Sequence, residues 1–215
     1  IAHLSSDPGL INAFNDGQDI HTATAAQVFG VNDGDVTKAQ REKAKMVSYG
    51  LAYGMEAYGL AQRLGIENKE AAKILNDYFS AFPSVKEYMD KAVNQAKEKG
   101  FTETLFGRKR KIPELKSSNS RVRGAAERQA MNAGIQGLAA DIFKVALVNL
   151  YKRLKEDNLN SAIILQVHDE VILECPKDEL AYAKELTLEE MESAFNLKVP
   201  LEVHMSSGMT WAEAK

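Results

Sequence analysis

Apolar residues recur at helical spacing through most of this chain. They alternate or run together only in a few short stretches. The spacing predicts short helices over residues 7–14 and 21–30, the first following the end of a strand. VNDGDV reads as a turn, and Thr37 stands where an N-cap would start a long helix carrying Arg41 to Tyr53. Further helices are expected over 56–64 and 68–82. Pro83 starts another, which runs to Gly100 as its C-cap. Residues 102–112 suit a small hairpin turning at Phe106-Gly107, and 121–156 a long helical region kinked near Gly134. In SAIILQVHDEVILEC, residues 161–175, two β-branched apolar runs flank a polar triplet, which predicts a hairpin with His168-Asp169-Glu170 at its tip. A helix over 178–195 and a last strand over 199–205, able to pair with that hairpin, complete the pattern. The fold class is α+β, with a helical section inserted into a section built on an antiparallel sheet.

Length and composition allow one to two domains with an ordinary core: 215 residues, 45% apolar and 27% charged. The net charge of −3 gives no global basic character. Any polyanion would therefore be met by local clusters: Arg41 with Lys45, the run Arg108-Lys109-Arg110-Lys111, and Arg121 with Arg123. One cysteine, Cys175, excludes an internal disulfide and fits a reducing compartment. The sequence shows no signal peptide, and no apolar run reads as long enough to span a bilayer, so a cytosolic location without a membrane partner is expected.

Three constellations carry candidate chemistry. In REKAKMVSYGLAYG, Arg41, Lys45 and Tyr49-Gly50 recur every four residues, which stacks two cations and an aromatic along one helix face. Neighbouring cations repel, and a polyphosphate lying along the stripe would turn that repulsion into attraction. A solvated helix face accounts for the same residues. At the hairpin tip, Asp169 and Glu170 offer adjacent carboxylates of the kind that hold a hard divalent cation; a simple polar turn would account for the same residues, but His-Asp-Glu is not a preferred hairpin turn, which favours the cation. In AAERQAMNAGIQGLAADIFK, Arg128, Asn132 and Gln136 present hydrogen-bond donors at the same spacing of four. Donors of this kind suit the minor groove, where each base pair offers acceptors whatever the sequence, although an ordinary polar helix face accounts for the same residues and is favoured on this segment alone.

In this order and at these separations, the segments resemble the family A DNA polymerases, of the bacterial polymerase I type. REKAKMVSYGLAYG resembles the family's motif B on the fingers helix, and LQVHDEVILE resembles motif C of the palm. QDIHTATAAQVFG, FTETLFGRKRKIPEL, RQAMNAGIQGLAADIFK and PLEVHMSSGMTWAEAK also look like family segments, so the resemblance covers essentially the whole chain. The family's motif A strand, roughly DYSQIELR, has no counterpart here. IAHLSSDPGL looks like what directly follows it, which implies a fingers-and-palm piece lacking the motif A aspartate and the thumb.

The resemblance implies an incomplete right-hand fold, with residues 19–118 as fingers and residues 1–18 and 119–215 as palm. The palm sheet would have an exposed edge where the motif A strand is lacking, with an association hazard. It implies a DNA-directed DNA polymerase working by two-metal phosphoryl transfer with Mg²⁺. Primer-template DNA and deoxynucleoside triphosphates would be its partners, together with the N-terminal remainder of the polymerase. Asp169 would be a metal ligand and Glu170 an accessory one. Arg41 and Lys45 would hold the phosphates, with His21 joining them, and Lys45 would be placed to protonate pyrophosphate. Tyr49 would stack under base and sugar, and Gly50 would allow close approach. Tyr53 would face the template, and His168 the primer end. Arg128, Asn132 and Gln136 would check the minor groove, and Arg108 would touch phosphates. A phage-type single-subunit RNA polymerase is an alternative, disfavoured because that group resembles His-Asp-Ser at the tip. A nucleotide-binding or duplex-binding piece without catalysis is another.

Overall fold

Thr37 shows how local chemistry sets the boundaries of the helices. Its hydroxyl accepts the Gln40 N–H at 3.2 Å, and the Gln40 side-chain oxygen accepts the Thr37 N–H at 2.9 Å, which closes a capping box on helix α4, Lys38–Ala52. The computed structural model describes residues 1–214. Before α4 come α1 (Ala2–Ser5), α2 (Pro8–Asn15) and α3 (Ile20–Phe29). After it come α5 (Ala57–Leu64), α6 (Asn68–Ala81) and α7 (Pro83–Lys99), which starts on Pro83 and stops at Gly100 in the left-handed region. A small antiparallel hairpin, β1 (Phe101–Glu103) and β2 (Lys109–Lys111), leads into α8 (Ser120–Glu156). A second hairpin, β3 (Ala162–Val167) and β4 (Glu170–Glu174), precedes α9 (Leu180–Glu192). This is an α+β chain, mostly helical, and its two sheets have two strands each among the described residues.

The chain divides into two compact units, Ile1–Leu138 and Ala139–Lys215, and α8 supplies residues to both. In the first unit α3 packs on α4 and α6, and α5 packs on α6. Its core gathers Ala25, Val47, Leu60, Tyr78, Phe82 and Val85, each almost wholly buried. A second apolar cluster joins Ala96 of α7, Ile112 and Leu115 to Ala126 and Ala130 of α8. In the second unit Leu150 and Leu154 of α8 pack with Leu186 of α9, against Ile163 and Leu173 of the hairpin.

Three expectations fail for identifiable reasons. The chain opens in a helix rather than a strand end. The Ser6 N–H bonds back to the Ala2 carbonyl, and Asp7 immediately caps α2 by accepting the N–H groups of Gly9 and Leu10. Residues 199–205 form no strand: Pro200 has no N–H to donate, and β3 and β4 pair only with each other. Helix α8 runs unbroken through Gly134. A Cβ there would collide with the hydroxyl of Tyr88 from α7, so the glycine admits a tyrosine instead of interrupting the helix. Burial pushes the Tyr88 phenol up to about 12. By length and composition α8 would also be able to cross a membrane, contrary to the sequence expectation, although a third of its most apolar window is buried within the protein.

Thr37→Ala removes the hydroxyl that accepts the Gln40 N–H, while the backbone N–H of residue 37 can still donate to the Gln40 side chain. Thermal unfolding is expected to show a loss of about 1 kcal/mol, with α4 fraying first at its cationic end.

Candidate functional site

The buried face of α4 consists of Ala44, Val47, Gly50 and Leu51. The opposite side therefore carries Arg41, Lys45 and the half-exposed ring of Tyr49 on one stripe, as their spacing requires. Arg41 has a partner that the spacing alone does not reveal. Its Nε and a terminal nitrogen reach the two carboxylate oxygens of Asp19 at 3.0 and 2.7 Å, a forked ion pair. Asp19 is also the N-cap of α3 and accepts the Thr22 N–H at 2.7 Å. The Arg41 hydrogen bonds hold the Asp19 carboxyl well below the usual carboxylate range, and the same contact raises Arg41. Lys45 makes no ion pair among the described residues. His21, on the first turn of α3, lies with its ring centre 5.8 Å from that of Tyr49, and its Nδ1 is buried without a hydrogen-bond partner. Burial lowers the His21 pKa, and Arg41 and Lys45 lower it further against the opposing pull of Asp19 and Glu42. The imidazole is thus neutral at pH 7. Arg41, Lys45, His21 and Tyr49 form one group.

Gly50 is turned away from that group. It is buried, and a Cβ on it would meet Met55 at 3.3 Å. Tyr53 caps the C-terminus of α4 and is 66% exposed. Gly54 lies just beyond the end of the helix, with φ of +67°. A Cβ there would be strained and would stand 3.0 to 3.1 Å from Asn132 and Arg128.

The three donors of α8 meet this segment in antiparallel order. Gln136 Nε2 donates to the Ala52 carbonyl at 3.4 Å, Asn132 packs on Gly54, and Arg128 pairs with Glu56 at 3.0 Å. Arg128, Asn132 and Gln136 thus share one face, yet in this structure they hold the segment after α4. Arg108 donates to the Gly137 carbonyl at 2.8 Å, which ties the β1–β2 hairpin to α8. Asp19 and Glu56 are the residues that sequence reasoning missed. Asp19 carried a signal, since an Asp before a helical run is an N-cap candidate. Glu56 carried none.

In the second unit, Val167 pairs with Glu170, so the hairpin turns on two residues, His168 and Asp169. His168 has φ of +54° and Asp169 does not share it. This is the pattern of a turn that favours glycine at its first central position. His168, Asp169 and Glu170 are all exposed. Two adjacent carboxylates fit a hard cation as part of its oxygen set, but no group of three or more candidate ligands exists among the described residues. The base of the hairpin is held by Glu179. Its carboxylate accepts the backbone N–H and side-chain amide of Asn160 and the N–H and hydroxyl of Ser161, at 2.7 to 3.0 Å. These bonds bring its pKa down to about 2.

The fold is that of a polymerase domain. It matches the POL domain of Pol1 from M. smegmatis, in complex with DNA primer-template and dNTP, with a TM-score of 0.93 and 48% identity, over 99% of this chain and 38% of that one. The chain belongs to DNA polymerase family A, whose model matches residues 1–213. DNA polymerase I of Caldicellulosiruptor bescii is 52% identical across the whole chain, and DNA polymerase I of Geobacillus stearothermophilus 50%. The chain spans about a quarter of the length of these relatives.

Two outcomes follow from the hairpin. A carboxyl depressed from 4.5 to about 2 keeps its bonds above its ordinary pKa and loses them as pH falls through the lowered one. The amide shifts of Asn160 and Ser161 should hold steady down to about pH 4 and then titrate with a midpoint near 2, a step that Glu179→Gln abolishes. His168→Gly should relieve left-handed strain and stabilise the chain against urea by about 1 kcal/mol.

Proposed function

We propose that this chain is the fingers and most of the palm of a DNA-directed DNA polymerase, adding deoxynucleotides to a primer 3′-hydroxyl. The observation that carries the reading is the Arg41, Lys45, His21 and Tyr49 group on α3 and α4, within a fold so close to a POL domain held with DNA primer-template and dNTP. Residues 19–118 are the fingers, and residues 1–18 and 119–215 the palm. The DNA polymerase I relatives support this reading over an RNA polymerase.

Arg41 and Lys45 bind the phosphate chain of the incoming nucleotide, Arg41 through its fork and Lys45 as a mobile point charge. His21, neutral, offers a ring N–H to a phosphate oxygen. Tyr49 supports the sugar and base, and Tyr53 faces the template. Lys45 Nζ is placed to give a proton to leaving pyrophosphate. Arg128, Asn132 and Gln136 read minor-groove acceptors once they exchange the segment after α4 for a duplex. His168 and Arg108 contact the DNA backbone. Asp169, with Glu170 beside it, would hold Mg²⁺ through its carboxylate oxygens. Two such ions would activate the primer hydroxyl and neutralise charge on the phosphates. Two carboxylates would leave the oxygen set unfilled, and a carboxylate from the rest of the polymerase would complete it. The setting is the bacterial cytosol.

Primer extension tests this, with the chain alone and joined to an upstream segment carrying a DYSQIELR-like strand. Extension is expected only in the joined form, and Asp169→Ala should reduce it to background. Failure of the joined form with deoxynucleotides and Mg²⁺ would overturn the proposal.

A further inference from the structure

We propose that Asp19 is a specificity-determining residue that makes nucleotide binding depend on phosphate number. This rests on the reading of the α4 stripe given above and adds to it a residue from outside the stripe. Arg41 and Lys45 are not electrostatically equivalent. Arg41 is already matched by both oxygens of Asp19, with Glu42 at 3.9 Å, while Lys45 makes no ion pair among the described residues. The open positive charge is therefore at the Lys45 end of the stripe, next to Tyr49.

Distance along the helix then separates ligands by length. Lys45 lies about 6 Å from Tyr49 along the axis, and Arg41 about 12 Å. A sugar resting on Tyr49 brings its first phosphate to Lys45. Only a longer chain brings a terminal phosphate to Arg41, where it must replace one two-oxygen anion with another.

The geometry of Asp19 suits such an exchange. The ion pair is partly exposed, with the Arg41 side chain at 35% and that of Asp19 at 48%, so the contact is weak enough to be traded. The carboxylate stays anchored when Arg41 leaves, because Oδ1 still accepts the Thr22 N–H as the cap of α3. It is thus ready to take Arg41 back when the phosphate departs. A monophosphate binds without disturbing the pair, whereas a triphosphate binds against it. Asp19 sets the cost of that second case alone.

Asp19→Asn tests this with little risk to the fold, because Asn caps a helix as well as Asp does and only the charge is lost. Deoxythymidine triphosphate and monophosphate would be titrated calorimetrically into the full chain at fixed ionic strength. The triphosphate is expected to bind Asp19→Asn about fivefold tighter, the range of an exposed ion pair, and the monophosphate within about twofold of the parent. Unchanged triphosphate affinity, or equal tightening of both ligands, would overturn the role of Asp19. Arg41→Ala separates this from the parent reading. If it weakens the triphosphate while Asp19→Asn has no effect, only the inference fails. If Arg41→Ala changes nothing, or no variant binds the triphosphate at all, the stripe is not a phosphate site and both fail.

Discussion

Burial of Ala44, Val47 and Leu51 fixes the rotation of α4 about its own axis, and every polar side chain on that helix inherits its direction from this one constraint. A helix held only by propensity could roll. This one cannot, because α3 closes over the buried stripe. The same packing brings the first turn of α3, with Asp19 and His21, alongside Arg41 and Tyr49. Gly50 belongs to this system too: it lets Met55 fold back against α4 and so ends the helix where Tyr53 emerges. The chemistry of the exposed face is thus a consequence of apolar contacts on the hidden one.

The candidate binding groups are held by the chain itself. Arg41 is held by Asp19, Arg128 by Glu56, and Gln136 by a carbonyl at the end of α4. Each contact satisfies a donor that would otherwise be left to water, and each is exposed enough to be exchanged at modest cost. Preorganisation here concerns position rather than vacancy. The cations are already pointed, and the counter-ions that point them are replaceable. The hairpin tip follows another economy. His168 holds a backbone conformation that disfavours it, while Glu179 secures the hairpin from its base.

Sequence reasoning succeeded where structure is local and failed where it is not. Thr37 with Gln40, Pro83 and Gly100 mark helix ends through bonds within one turn, and the apolar runs around His168 specify their own hairpin. The Arg41, Lys45 and Tyr49 stripe was legible because a helix converts spacing into direction. The partners of those residues were not, because Asp19 lies 22 positions from Arg41 and Glu56 lies 72 from Arg128. Gly134 was misread for a related reason: propensity treats it as a weak point, and only tertiary packing shows that Tyr88 fills the missing Cβ. Residues 199–205 alternate as a strand should, but alternation supplies no partner, and Pro200 removes a donor.

Helix α8 belongs to both compact units, and its backbone ladder runs through the boundary at Leu138 without a break. A division of contacts is therefore not a division of the chain into parts that could live apart. Cutting at that boundary would strand the amides and carbonyls of a full turn on each side, with no capping residue to receive them. The backbone hydrogen bonds of one helix are thus common property of both units.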